Sequence, residues 1–349
     1  RPPYFRRSVV QTMGPTSVFG VKATDKTGKE KYFKAKKGVL LACGGYENNP
    51  QLIDSHILPG VRVRPAGTPY NLGDGVYMAQ EAGADIVHMA GCEWMGFGAN
   101  PPGHDVAIKV ELRKLGKGIV VHRFGKRYFN EDKKLDHTRT LVAIEFDGYP
   151  DDPTALSDYK GVPSFLIFDE AKRLAGPLAK SKLEPVTDMA PPVMGFLAVK
   201  GLYEWSADNS QEIENGMIKK ADSIQELAEI AGIDPVALEE TIKNWNDYCQ
   251  AGEDAEFGRP PNTMGPIEGP PYYAMEIGPL FINTQGGPKH SNLDGKVLDR
   301  YDNPIPRLYA AGECGSVYSC MYHGSGNIAE ALIVGKLAAE TALQEEPWA

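Results

Sequence analysis

The stretch 308–339, LYAAGECGSVYSCMYHGSGNIAEALIVGKLAA, decides how the rest of the chain is read. Leu308-Tyr309-Ala310-Ala311 is a short apolar run ended by Gly312, the pattern of a buried strand. A loop of small and aromatic residues follows. Gly324-Ser-Gly-Asn327 then opens a run with apolar residues at Ile328, Ala331, Leu332, Gly335 and Ala338, which is helical spacing. Strand, glycine loop and helix start together aim backbone N–H groups and the positive end of a helix dipole at one point. An electron-rich ligand edge or a developing oxyanion is favoured there. The same pattern also fits an ordinary buried βα unit, so the choice rests on the remaining sequence.

Outward from this stretch, Gly38-Val-Leu-Leu-Ala-Cys43 is a continuous apolar run, as in a strand covered on both faces. Gly44-Gly45 ends it. Glycines just past the C-terminal end of a buried strand are where α/β folds bring backbone against a ligand; the alternative is a tight strand-to-helix turn. Residues 67–75, GTPYNLGDG, feed a helix from about Val76 to Glu81, closed by Ala82-Gly83-Ala84. Asp74 is placed either to cap that helix or to meet a ligand. Residues 17–22 and 30–34 alternate around Asp25-Lys-Thr-Gly28 as a hairpin. Ile86-Val87-His88 reads as a short strand.

From Gly91 to Met264 charge and proline increase. Gly118–Val121 and Phe165–Phe168 have strand character. Ser223 to Ala231 carries an S-x-x-E capping box and ends at Gly232, and Asp234-Pro235 starts a second helix running to about Cys249. Residues 251–271 are Pro/Gly-rich and read as a linker back. Tyr272–Ile277 is strand-like, and Thr284-Gln-Gly-Gly287 is another glycine turn. The expected organisation is one α/β domain, 1–90 plus 264–349, interrupted by an inserted domain, 91–263.

With 349 residues, 42% hydrophobic and 24% charged, the composition is that of a soluble globular protein large enough for two domains. A net charge of −9 without a long basic run argues against a nucleic-acid partner. No apolar stretch approaches the roughly 20 residues of a membrane helix. The N-terminal RPPYFRR lacks the apolar core of a signal peptide. Five cysteines, without C-x-x-C, read as free thiols of a reducing, cytoplasmic compartment, and metal-ligand spacing is absent.

The ordered set GVLLACGGYENN (38–49), GTPYNLGDGVYMAQEAGA (67–84), GKRYFNED (125–132), SIQELAEIAGID (223–234), PPYYAM (270–275), TQGG (284–287) and LYAAGE (308–313) resembles the FAD-dependent fumarate reductase and 3-ketosteroid dehydrogenase family over nearly the whole chain. The resemblance implies a doubly wound, Rossmann-like, three-layer FAD-binding domain with an inserted α+β cap. That family begins with a βαβ unit carrying G-x-G-x-x-G, which this sequence lacks. Gly324-Ser-Gly-Asn-Ile-Ala329 matches as text only. An eleven-residue loop separates it from its strand, and no acid follows in a strand about 20 residues on. The chain therefore reads as the C-terminal part of a longer flavoprotein.

By the same resemblance, Gly44, Gly45 and Asp74 face the adenosine and ribityl side of FAD. Gly312 and Glu313 bind ribityl hydroxyls, and Asn327, Ile328 and Ala329 offer backbone N–H groups to the flavin's pyrimidine edge. Tyr322-His-Gly-Ser-Gly326 is similar to the Y-P-G-P-G run of 3-ketosteroid Δ1-dehydrogenases, which implies that Tyr322 and Gly326 grip a substrate ketone. His323 and Asn283 stand where fumarate reductases place an arginine and a histidine, so dicarboxylate recognition is weakened. Phe281, Met321 and their neighbours imply an apolar pocket instead. Arg173, in F-D-E-A-K-R, and Glu131, in N-E, resemble a proton donor and its relay carboxylate. The expected activity is oxidoreduction of a CH–CH bond beside a carbonyl, on a 3-ketosteroid or similar apolar ketone. The alternatives are a reductase of another α,β-unsaturated acid or enone, and an inactive flavoprotein fragment. Neither the electron partner nor the direction follows from the sequence.

Overall fold

The computed structural model describes residues 7–11, 17–58, 62–112, 116–133, 135, 159, 161–179, 203–318, 322 and 325–348. It is a mixed α/β structure whose contacts divide into two compact units. One comprises Arg1–Pro59, Thr68–Glu93 and Asn283–Ala349; the other comprises Gly60–Gly67 and Trp94–Ile282. The second division falls inside the strand Tyr272–Thr284, whereas the sequence placed it at 263/264. Residues 272–277 pair with Ser164–Asp169 and 272–275 with Ile218–Ala221, and this pairing fixes them in the second unit.

In the first unit, Val18–Thr24 and Glu30–Lys34 form the expected antiparallel hairpin, with Arg7–Gln11 added alongside. Asp25 Oδ1 accepts from Thr27 N (2.9 Å) and Lys29 N (3.2 Å), and Gly28 takes the left-handed conformation the turn requires (φ 83°). Val39–Leu41 pairs parallel with Pro304–Ala310, which pairs antiparallel with Lys296–Leu298. Val39 and Leu41 are buried but Leu40 is exposed, so this strand is covered less completely than its apolar run suggests. Leu308 and Ala310 pack with Val18, Leu41, Met78 and Ala79 in this unit's core.

The helix Ser325–Gln344 forms as expected, but on a different face. Its buried stripe is Glu330, Val334 and Ala338, a four-residue spacing, while Ile328 and Leu332 are exposed. Near the end of the chain Trp348 lies on Phe19, ring centroids 4.2 Å apart, with the Arg307 guanidinium carbon 3.9 Å from the indole.

The second unit is built on a seven-stranded sheet. Its main path runs Ile108–Lys109, Cys92–Ala99, Tyr272–Thr284, Ser164–Asp169, Gly118–His122, and Ile218–Ala221 and Arg64–Pro65 also pair with Tyr272–Thr284. The helices Ile224–Ala231 and Pro235–Ala251 pack on Ile119, Val121, Phe165 and Ile167 through Leu227, Leu238, Ile242 and Trp245. Their caps follow the sequence. Ser223 Oγ accepts from Glu226 N (3.1 Å), and Asp234 Oδ1 accepts from Ala237 N (2.9 Å) ahead of Pro235. The 251–271 segment belongs to this unit and contributes to its packing through Asp254, Arg259 and Ile267.

Candidate active site

Beyond the ends of Val39–Leu41 and Pro304–Ala310, the pair Gly44-Gly45 and the Gly312-Glu313 turn come together in the first unit. Gly44 is left-handed (φ 73°), and a side chain on it would stand 2.7 Å from Asn71 Oδ1. At Gly45 a methyl group would overlap Thr284 Oγ1 and Glu313 Oε1. Hydrogen bonds knit these parts together. Tyr46 N donates to Thr284 Oγ1 (3.0 Å), Thr284 N to Glu313 Oε1 (3.1 Å), and Gly73 N to Gly45 O (3.1 Å). Gly312 is also left-handed (φ 77°), which turns the chain immediately before Glu313.

Glu313 has a carboxyl neighbour that the sequence did not single out. Glu47 is 1% exposed. Its Oε1 accepts from Asn71 Nδ2 at 2.8 Å, and its Oε2 has no partner among the described residues. Burial raises the pKa of both acids, and for Glu47 the nearby Glu313 adds to the rise. Backbone N–H groups of Thr284 and Gly45 favour the ionised form of Glu313, so the proton of this pair resides on Glu47.

A second polar cluster surrounds Tyr322. Its hydroxyl hydrogen-bonds to Glu93, and burial together with the Glu93 charge pushes its pKa up to about 12. Glu93 is 6% exposed and accepts from Asn283 Nδ2 at 2.7 Å. Asn283 Oδ1 and both side-chain polar atoms of Gln285 are buried without partners among the described residues. These three and Glu47 Oε2 are four of the five buried polar atoms of the first unit without a partner among the described residues, the fifth being Trp348 Nε1.

Glu330 of the long helix accepts from Ser316 Oγ (2.7 Å) and Val317 N (2.6 Å). Gly326, Asn327 and Ile328 lie in the first turn of Ser325–Gln344, and Ala329 follows them. Asp74 begins the helix Asp74–Glu81 but does not cap it. The cap position is Gly73, in a left-handed conformation. Met321 and His323 lie outside the described residues, as does Cys320. Cys43, Cys92, Cys249 and Cys314 form no disulfide.

Three expected site residues lie in the second unit. The Arg173 guanidinium is held by Glu170 of its own helix (2.8 and 2.6 Å) and by Asp208 O (2.8 Å). Glu170 is drawn down to about 2, first by its hydrogen bonds from Arg173. Glu131 is fully buried and accepts from Val120 N (3.1 Å), Arg127 Nε (3.0 Å), an Arg127 terminal nitrogen (2.9 Å) and Arg259 (3.4 Å). Arg127 also grips Asp254 through two bonds of 3.0 Å. Both guanidinium carbons lie near the Trp245 ring, at 4.6 and 5.0 Å. The Glu131 carboxylate is thereby committed to holding the unit together. Phe281 is buried against Trp94, ring centroids 5.6 Å apart.

The profile of the family described as FAD binding domain matches residues 2–328. The chain belongs to that family. Digoxin reductase of Eggerthella lenta is 30% identical over 362 residues, covering 95% of this chain and 57% of that protein. A 3-ketosteroid Δ1-dehydrogenase of Sterolibacterium denitrificans, solved in complex with 1,4-androstadiene-3,17-dione, matches with a TM-score of 0.70 and 25% identity, over 98% of this chain and 59% of the other. The open form of a flavocytochrome c3 fumarate reductase shares the fold, with a TM-score of 0.61 and 24% identity over 96% of this chain and 50% of that one. The chain thus spans between half and three-fifths of the length of these relatives. The cofactor of the family is FAD, and its enzymes here are oxidoreductases. Among the described residues no helix is long and apolar enough to cross a membrane.

Sequence reasoning missed Glu47, Glu93, Gln285 and Glu330. Three of them stand next to motif residues that were noticed: Glu47 follows Gly44-Gly45-Tyr46, Gln285 sits inside T-Q-G-G, and Glu330 follows Asn327–Ala329. An acid or amide in an otherwise apolar or glycine-rich run is the signal that would have marked them.

Proposed function

We propose that this chain binds FAD on its first unit and serves oxidoreduction of a CH–CH bond next to a carbonyl, with an apolar ketone or enone such as a 3-ketosteroid as substrate. In this reading the first unit is the doubly wound FAD-binding domain and the second is an inserted α+β cap. The parallel pair Val39–Leu41 and Pro304–Ala310, with glycines beyond both C-terminal ends, supports it, because α/β sheets take ligands there. FAD, when bound, supplies hydride gain or loss at its flavin ring.

The residues present fit that cofactor. Carboxylates at Glu313 and Glu47 suit sugar hydroxyls, which are donors. The unpartnered amide of Gln285 offers both a donor and an acceptor to a polar ring edge. Gly44 and Gly45 keep the approach free of side chains. Gly326, Asn327, Ile328 and Ala329 would present N–H groups and the positive end of the helix. Tyr322 and Gly326 would hold the carbonyl oxygen, where charge develops as the adjacent C–H bond breaks or forms.

The observation that carries this reading is Tyr322, a hydroxyl held in a buried polar cluster within the same unit as the Gly45–Glu313 cradle. A second reading, reduction of an α,β-unsaturated acid or enone, takes its direction from the likeness to a reductase. Asn283, a neutral amide bonded to Glu93, offers no charge to a dicarboxylate, which disfavours fumarate. The test is to reconstitute the purified chain with FAD and follow flavin absorbance anaerobically with a 3-ketosteroid, fumarate and urocanate in parallel. Protein that takes up no flavin contradicts the cofactor assignment for this chain alone. Flavin that responds to fumarate or urocanate and not to the ketosteroid removes the preferred substrate.

A further inference from the structure

Cys43 and Cys314 follow the parallel strands Val39–Leu41 and Pro304–Ala310, one just before Gly44 and the other just after Glu313. Cys314 belongs to the core of the first unit, and Cys43 packs against that core. Their sulfurs converge on Gly75, in the first turn of the helix Asp74–Glu81. Both lie within 2.9 Å of the point where a Gly75 side chain would begin, which brings them within contact range of each other. The missing side chain leaves the space that the two thiols share. Cys314 is 1% exposed and Cys43 is half-buried, so a small reagent reaches Cys43 first. The hydrogen bond between the thiols, and then burial, raises Cys314 well above the ordinary thiol range, so Cys314 keeps its proton. Neither sulfur has a part in the proposed activity.

We propose that Cys43 and Cys314 form a redox modification site, in which a hydroperoxide oxidises the pair to a disulfide, with Cys43 as the attacking thiol and Cys314 as the resolving one. The steps balance for hydrogen peroxide. The Cys43 S–H bond breaks, an S–O bond forms and the peroxide O–O bond breaks, giving a sulfenic acid and one water. The Cys314 S–H bond then breaks, an S–S bond forms and the S–O bond breaks, releasing a second water. Two electrons pass from the sulfurs to the peroxide, and a dithiol reductant reverses the change by exchange. The new bond joins the residue before Gly44-Gly45 to the residue after Glu313, and so locks these two turns together.

The experiment treats the full chain with hydrogen peroxide, removes the peroxide, alkylates in denaturant and maps the peptides without reductant. The expected product is a linked Cys43–Cys314 peptide, with titratable thiols falling from five to three and returning to five after dithiothreitol. Cys314→Ser should stop at a Cys43 sulfenic acid, trapped with dimedone. Cys43→Ser should leave Cys314 unmodified at the same peroxide dose. The oxidised chain should unfold at a higher urea concentration than the reduced one, because the bond closes a long loop of the unfolded chain. Cys43 and Cys314 both recovered alkylated after peroxide, or either linked instead to Cys92, Cys249 or Cys320, would overturn the proposal. Sulfenic acid on Cys314 in Cys43→Ser would overturn the assigned order, and a urea midpoint that does not rise would overturn the locking. Where a serine variant does not fold, the peptide map of the unsubstituted chain still decides the pairing.

Discussion

Asn283 gives its side-chain N–H to Glu93 at 2.7 Å, while its own buried carbonyl oxygen has no donor among the described residues. The amide is therefore held from one end only. Replacing Asn283 with Asp would set two acids against each other in a buried place. Asn283→Asp is expected to destabilise the chain by about 1–3 kcal/mol at neutral pH, read by urea denaturation. The loss should shrink in acid, where one carboxyl is protonated. A stability unchanged at neutral pH would mean that the cluster is open to water.

Gly45 has no room for a methyl group beside Thr284 Oγ1 and Glu313 Oε1. Gly45→Ala is expected to abolish flavin uptake, measured as bound flavin absorbance after reconstitution, while far-UV circular dichroism stays near that of the unsubstituted chain. Gly335 offers the contrast. It lies within the helix Ser325–Gln344, and the nearest atom to a methyl there is Ala311 Cβ at 3.9 Å. Gly335→Ala should raise stability by about 0.5–1 kcal/mol and leave flavin uptake intact.

Glu47 and Glu313 bind protons more tightly in the folded chain than an ordinary glutamate does. Their raised affinity stabilises the folded state while they are protonated there and ionised in the unfolded chain. Stability should therefore fall as pH rises from about 4.5 through the elevated folded values, as each acid is forced to ionise inside the protein. Glu47→Gln removes the larger part of that dependence. Melting temperature against pH should be flatter for Glu47→Gln, with a gain over the unsubstituted chain on the alkaline side. An identical profile for the two would show that the pair does not share its burial in solution.

Glu131 and Arg173 are separated by what surrounds them. Glu131→Ala would leave Arg127 and Arg259 buried with one carboxylate fewer, and is expected to cost about 3–5 kcal/mol. Arg173→Ala removes a guanidinium held by Glu170 of its own helix and by Asp208, and should cost about 1 kcal/mol or less. Turnover measured on correctly folded Arg173→Ala decides its role directly: an unchanged rate removes it as a proton donor.

The parts of this fold that were legible in the sequence are those governed by local rules. Ser223 and Asp234 announce their helices because capping is a matter of three or four neighbouring residues, and the hairpin turn at Asp25–Gly28 is equally local. The apolar face of Ser325–Gln344 was misread because Glu330, which accepts from Ser316 and Val317, is the one that turns inward. The strand Cys92–Ala99 was not recognised, since all of its residues are buried and glycines interrupt its alternation. The Glu93–Asn283 contact joins positions 190 residues apart, and the Glu47 and Glu313 carboxyls come from opposite ends of the sequence. No spacing rule reaches that far. Glycine punctuation marks the ends of the two strands, and only the folded chain shows which acids lie beside them.

Of the four tryptophans, Trp94, Trp205 and Trp245 lie in the second unit and Trp348 alone in the first. The tilted contact of Trp348 with Phe19, beside Arg307, ties Trp348 to the opening hairpin. Its emission is thus a natural optical gauge of the first unit. In a chain whose other three indoles are replaced by phenylalanine, the loosening of the first unit can be watched by fluorescence with no attached dye.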